Sequence, residues 1–203
     1  MLTVIESVLE IGEQGVEDLE QVPEFAPFTK IPRLSREITV SEKIDGTNGV
    51  IWISDTGQTI KAGSRNRWLE PGKSDNFGFA TWVEAHKSEL LEGLDPGRHY
   101  GEWWGPGIQR GYGLAEKKFS LFNTHRWGGE VVKPACVDVV PVLYTGVFST
   151  DMIESVLRDL ACDGSKASPG FMRPEGIVIF HAASGHLYKK TILDDEKPKG
   201  STE

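Results

Sequence analysis

Cysteine is scarce in this chain. Cys136 and Cys162 are the only two, with no Cys-x-x-Cys pair and no histidine at metal-ligand spacing, which argues against a zinc site or a disulfide framework. Both thiols are expected to be reduced and buried. Long apolar runs are also missing: none approaches 18 residues, and the N-terminal MLTVIESVLEIGEQ mixes acids into its apolar positions without a basic leader. A soluble, cytoplasmic protein with no membrane partner is expected. Positive charge is short too. With 22 basic against 30 acidic residues the net charge is −8, which excludes a protein that coats nucleic acid by bulk electrostatics. Local basic clusters remain at Lys30/Arg33/Arg36, Lys61/Arg65/Arg67, Arg110/Lys117/Lys118 and Lys189/Lys190.

Three nucleotide and hydrolase motifs are absent as well. PGKS at 71–74 ends like a phosphate-binding loop, but Arg67 stands where the first glycine belongs. GPGIQR at 105–110 starts like a dinucleotide fingerprint and puts Arg110 in place of the third glycine. No Gly-x-Ser-x-Gly elbow occurs.

What is present can build a core: 38% hydrophobic residues, with six Trp and nine Phe. A weak helical period runs through residues 4–20, followed by the Pro-punctuated VPEFAPFTKIPRL. Residues 1–29 are therefore read as an N-terminal extension, 30–195 as the body and 196–203 as a polar tail. ITVSEKID alternates as a strand, and GVIWIS and TIKAGS flank DTGQ as a hairpin. Phe79, Trp82, Val83, His86 and Leu90 predict one amphipathic helix, with His86 a packed histidine. RHYGEWW, KFSLFN and VDVVPVL read as strands, Asp151 and Glu154 open a second helix, and EGIVIFHAASGHLYKKTI closes as a hairpin turning at AASG. Strands outnumber helices without a βαβ alternation, so the expected class is antiparallel-rich α+β.

The sequence Lys43-Ile44-Asp45-Gly46-Thr47-Asn48 carries the functional signal. Alone it reads equally as a solvated lysine before a turn. It resembles the Lys-x-Asp-Gly signature of the covalent nucleotidyltransferases, and further elements follow in that group's order: YGEWWG at 100–105, KFSLFN at 118–123, EGIVI at 175–179 and LYKKT at 187–191. EKIDGTN, SRNR and the FN pair are similar to the RNA ligase 2-like family, in particular its compact members often carried by phages. The resemblance spans about residues 30–195. It implies an ATP-grasp-like adenylation domain of the nucleotidyltransferase fold, and an ATP-dependent RNA ligase acting through a lysyl-AMP intermediate in the cytoplasm, or the host cytoplasm if phage-encoded. The implied cofactors are ATP and Mg²⁺ (or Mn²⁺), and the implied partners are RNA or DNA ends with a 5′-phosphate and a 3′-OH. A DNA ligase, another adenylyltransferase and an inactive nucleotide-binding module are the alternatives. Asn123 departs from the acid many relatives carry, KK departs from Lys-x-Lys, and no OB-fold is expected after residue 203.

The residue roles implied by the resemblance suit the chemistry. A lysine amine attacks phosphorus only when neutral, and an ordinary lysine at pH 7 resists that by about 4 to 5 kcal/mol. A strand-end position, a second cation and a metal would lower that cost. Lys43 is accordingly the expected nucleophile, with Arg65 and the Lys189/Lys190 pair toward the phosphates; because strand neighbours face opposite ways, the resemblance puts Lys189 at the α-phosphate and leaves Lys190 nearer solvent. Glu175 is expected to hold the metal through water, with Glu102 as a further metal candidate that also grips a ribose hydroxyl. Phe119 is expected against the adenine face, although composition alone makes it core. Glu42 or the backbone at Ile44 is expected to read the base edge, with Asn48 in the turn. Of Trp103 and Trp104, one is expected in the core and one as a stacking platform.

Overall fold

The computed structural model describes residues 24–196. The chain divides into two units, residues 1–31 and 32–203. The helical period expected over 4–20 lies outside the described residues, as does most of the polar tail. In chain order the elements are β1 (Glu37–Lys43), β2 (Thr47–Ile53), β3 (Ile60–Gly63), α1 (Phe79–Ala85), α2 (Lys87–Gly93), β4 (Gly97–Trp104) and β5 (Lys118–Leu121). They continue as α3 (Thr124–Trp127), β6 (Val137–Val139), β7 (Val142–Val147), α4 (Thr150–Asp163), β8 (Gly176–His181) and β9 (His186–Thr191).

The strands form two sheets. The first has the order β7-β1-β8-β9 and the second β3-β2-β4-β5-β6. All pairings are antiparallel except β5 with β6. The antiparallel-rich α+β class follows from the alternating segments, as expected. Two elements differ from the periodicity. The single helix expected from Phe79 to Leu90 breaks at His86 (φ −104°, ψ 15°), whose ring lies 4.7 Å from that of Trp82. VDVVPVL is divided: β6 joins the second sheet and β7 the first, with Pro141, which has no N–H for a ladder, between them. Its carbonyl accepts the Glu42 N–H at 2.9 Å.

Three cores result. On the second sheet, α1 and α2 cover Ile51, Ile53, Trp103, Phe119 and Leu121 with Phe79, Val83 and Leu90. Glycine makes this possible at two places. A Cβ on Gly49 would sit 2.8 Å from the Phe79 ring, and one on Gly101 2.6 Å from the Phe119 ring. On the first sheet, α4 lays Ile153, Val156 and Leu160 over Ile38, Val40, Ile177 and Ile179. The helix is capped by Ser149, whose Oγ accepts the Met152 N–H, so it starts just before the expected Asp151. A third cluster, Ile44, Trp104, Tyr112 and Val140, fills the place where the chain passes between sheets.

Both Trp103 and Trp104 are core, which corrects the stacking-platform expectation: the second lies in the junction cluster and donates its Nε1–H to Ser120 Oγ at 2.9 Å. Both cysteines are free, but Cys162 is exposed on the outer side of α4 rather than buried. Because Phe119 is 0% exposed among Phe79, Trp82 and Trp103, Phe119→Ala is expected to cost about 3 to 5 kcal/mol of folding stability, read from urea unfolding. A loss under about 1 kcal/mol would remove the ring from the core.

Candidate active site

Lys43 ends β1, paired with Gly176 at the start of β8. Glu175 directly precedes that strand, and its Oε2 lies 2.6 Å from Lys43 Nζ, with the two side chains 21% and 8% exposed. At such depth each charge offsets part of the other's desolvation. Strand alternation then sorts the remaining lysines. Ser41 faces Val178, which faces Lys189, while Lys43, Gly176 and Thr191 form the next row. Lys189 and Thr191 therefore share the Lys43 face. Lys190 belongs to the opposite face, under α4, where its Nζ meets Glu154 Oε1 at 3.1 Å and Asp195 Oδ2 at 3.9 Å. The hydrogen bond to Glu154 raises the Lys190 pKa. Lys190, expected nearer solvent, is thus held against α4 on the face opposite Lys43.

Glu42 lies on the α4 face as well. Its Oε1 accepts the Ser165 hydroxyl at 2.6 Å, and its Oε2 accepts the N–H groups of Lys166 at 2.7 Å and Ala167 at 2.9 Å. At 1% exposure the side chain anchors the loop after α4, which corrects its expected role as a reader of the base edge. Ile44 turns its side chain into the junction cluster, leaving only its backbone to face the site.

Glu102, in the middle of β4, shapes the turn after Lys43. Its Oε1 accepts the Gly46 N–H at 3.0 Å and its Oε2 accepts Asn48 Nδ2–H at 3.1 Å. Gly46 has no room for a side chain: a Cβ would overlap the Trp103 carbonyl and stand 2.8 Å from Trp104 Cβ. Among the described residues no group of three or more His, Cys, Asp or Glu side chains could cage a metal ion. The Glu175 carboxylate beside Lys43 fits a hydrated Mg²⁺ or Mn²⁺ that keeps most of its waters. Glu102, engaged by Gly46 and Asn48, is not placed as a second ligand.

Phe119 is corrected outright. In β5 the row Asn48–Glu102–Ser120 lies on the site side, so Phe119, one residue earlier, points into the opposite core. Phe122 was missed. It continues the ladder through its N–H to the Tyr100 carbonyl at 2.9 Å, and by alternation it falls on the Glu102 side. It is 41% exposed and Tyr100 opposite is 56% exposed. KFSLFN holds both phenylalanines at opposite parity, so the signal was present, but only the cross-strand register selects one. Asn123, in place of an acid, caps α3 by accepting the Arg126 N–H at 3.0 Å. Arg65 stands exposed in the turn after β3, where Ser64 N–H meets the Arg67 carbonyl.

Two further residues reach the turn. Arg110 Nε donates to Asp45 Oδ2 at 3.0 Å, and the Asp45 N–H donates to Tyr112 Oη at 2.8 Å. Burial pushes the Tyr112 hydroxyl pKa up. Neither was assigned a role from sequence, because the partner of each is made only by the fold.

The site thus holds a lysine at the end of β1 facing a carboxylate just before β8, where the chain passes from one sheet to the other. The family model for RNA ligase matches residues 36–191, most of the chain, which therefore belongs to the RNA ligase family. Solved structures of Naegleria gruberi RNA ligase share the fold. A mutant with AMP and Mn is 19% identical with a TM-score of 0.57, over 83% of this chain and 56% of that one. Another with ATP and Mn is 17% identical with a TM-score of 0.54, over 76% and 48%. The chain thus spans about half the length of these proteins. No curated protein matches it. Gly46→Ala is expected to destabilise the protein by about 1 to 3 kcal/mol in urea unfolding, since the obstructing atoms are backbone and Cβ rather than a flexible side-chain tip.

Proposed function

We propose that residues 30–195 form an ATP-dependent RNA ligase domain acting through Lys43. The amine takes AMP from ATP, the AMP passes to a 5′-phosphate RNA end, and a 3′-OH displaces it to seal the strand. The observation that carries this reading is the 2.6 Å pair of Lys43 with Glu175, on the sheet face that also holds Lys189. Membership of the RNA ligase family and a fold shared with structures containing ATP or AMP and Mn support it.

In the first step the Lys43 Nζ lone pair forms a P–N bond to the α-phosphorus. The P–O bond to pyrophosphate breaks, and pyrophosphate leaves with the bonding electrons. Before attack the ammonium must release a proton, and Glu175 Oε2 stands within hydrogen-bond reach to accept it. Lys189 and Arg65 are assigned to phosphate oxygens, where positive charge offsets the charge that builds in the transition state. A divalent cation, when bound, supplies Lewis-acid stabilisation of the same oxygens. Glu102 holds Gly46 and Asn48, and its carboxylate has further lone pairs for a ribose hydroxyl. Phe122, with Tyr100 beside it, replaces Phe119 as the shelf for the base.

Intact mass after incubation with ATP or GTP and Mg²⁺ tests the reading directly. Wild type is expected to gain the mass of AMP from ATP, whereas Lys43→Ala gains nothing. Lys189→Ala should nearly abolish the gain and Lys190→Ala should leave it, because only the first shares the Lys43 face. A dead Lys190→Ala beside an active Lys189→Ala would reverse the face assignment. Joining assays on nicked RNA, nicked DNA and single strands then separate an RNA ligase from a DNA ligase, and a wild type without adduct marks an inactive binding module.

Phe122→Ala should weaken ATP binding by roughly 1 to 3 kcal/mol while the adduct still forms at high ATP, since stacking makes no bond to phosphorus. Unchanged ATP affinity in titration calorimetry would place the base elsewhere.

A further inference from the structure

The segment GPGIQRGYG, residues 105–113, matches no nucleotide fingerprint, yet its backbone is held in an unusual shape. Gly105, Gly107, Gly111 and Gly113 all have positive φ, and so do the non-glycine residues Gln109 (43°) and Tyr112 (52°). Left-handed backbone at a non-glycine residue costs of order 1 to 3 kcal/mol and persists only where surrounding contacts impose it. Here those contacts can be named. Tyr112 is 1% exposed, its ring lies 4.6 Å from that of Phe171 and 5.0 Å from that of Trp104, and its carbonyl accepts the Ser168 hydroxyl at 2.9 Å. Its hydroxyl oxygen receives the Asp45 N–H.

Arg110 joins two separate parts of the site. Its Nε donates to Asp45 Oδ2 at 3.0 Å, while Nη1 donates to the Arg173 carbonyl at 3.0 Å and the Pro174 carbonyl at 3.2 Å. Asp45 lies two residues after Lys43, and Pro174 lies one residue before Glu175. One guanidinium therefore spans both chain segments that present the Lys43–Glu175 pair. Those segments are the crossing from β1 to β2 and the lead into β8, and the planar fork fixes their separation in a way a flexible ammonium cannot.

We propose that Arg110 is a positioning residue for lysine adenylation: together with Tyr112 it sets the distance between Lys43 and Glu175 without touching ATP. This rests on the adenylation reading above. Misplacing reacting groups by about 1 Å can cost on the order of 100-fold in rate, so an effect of that size is expected without a matching loss of ATP binding.

The test uses the full chain as wild type, Arg110→Ala, Arg110→Lys and Tyr112→Phe. Adduct formation is followed by intact mass over an ATP range, and hydrogen exchange is followed in peptides covering 43–47, 173–176 and α4. Arg110→Ala is expected to lower the rate constant at saturating ATP by about 100-fold, with the half-saturating ATP concentration moved by less than about threefold. Exchange should rise in 43–47 and 173–176 and stay unchanged in α4. Arg110→Lys should remain impaired, and Tyr112→Phe should raise exchange at Asp45 with a smaller loss of rate. A wild-type rate in Arg110→Ala would overturn the proposal, as would full recovery in Arg110→Lys or a rate loss that only follows the unfolded fraction. If wild type forms no adduct, the ligase reading fails on its own. The bracing claim is then decided by exchange alone, and unchanged protection of both segments in Arg110→Ala would refute it.

Discussion

One chain crossing organises this protein. β1 ends at Lys43 in the first sheet and β2 begins at Thr47 in the second, so Ile44, Asp45 and Gly46 carry the backbone from one sheet to the other. Each of the three is held differently. Ile44 is buried with Trp104, Tyr112 and Val140, Asp45 is bonded at its side chain and its N–H, and Gly46 fits against Trp103 and Trp104 where no side chain can enter. A crossing so tightly held gives Lys43 a fixed exit direction, anchored by both sheets.

Glu42 and Lys43 are adjacent on β1 and face opposite sides of the first sheet. Glu42, one position earlier, faces α4 and spends its carboxylate on Ser165, Lys166 and Ala167. Lys43 faces the opposite way and finds Glu175. The same division recurs at the far edge of the sheet, where Lys190 bonds Glu154 and Lys189 turns toward the Lys43 side. Two adjacent charged residues on one strand thus do unrelated work, because a strand presents successive side chains to opposite faces.

Glu102 links the sheets in a second way. From the second sheet it accepts a hydrogen bond from Gly46, immediately beyond the crossing, and another from Asn48. Together with the Arg110 contacts to Asp45, Arg173 and Pro174, this makes the site a network of charges on backbone groups rather than a cavity lined by loose side chains. Charged groups bonded to backbone donors and acceptors make strong, directional contacts, which hold the Lys43 turn and the Glu175 segment in place.

The sequence by itself determined the elements and the candidate nucleophile. Alternation in ITVSEKID and EGIVIF is a local property, and so is the turn chemistry of Lys43-Ile44-Asp45-Gly46; both were legible along with the order of the later motifs. The helix break at His86 and the division of VDVVPVL were not legible in periodicity, because packing against a sheet and a change of sheet override it. Only the tertiary structure decided which aromatic of KFSLFN lies on the Glu102 side and what Glu42 holds. Each of those answers depends on cross-strand register, and a shift of one residue would reverse every one of them. The partners of Arg110 lie about 65 residues away on either side in sequence, at Asp45 and at Arg173 and Pro174. No local pattern encodes such a contact, since it exists only once the β1–β2 crossing and the lead into β8 lie side by side.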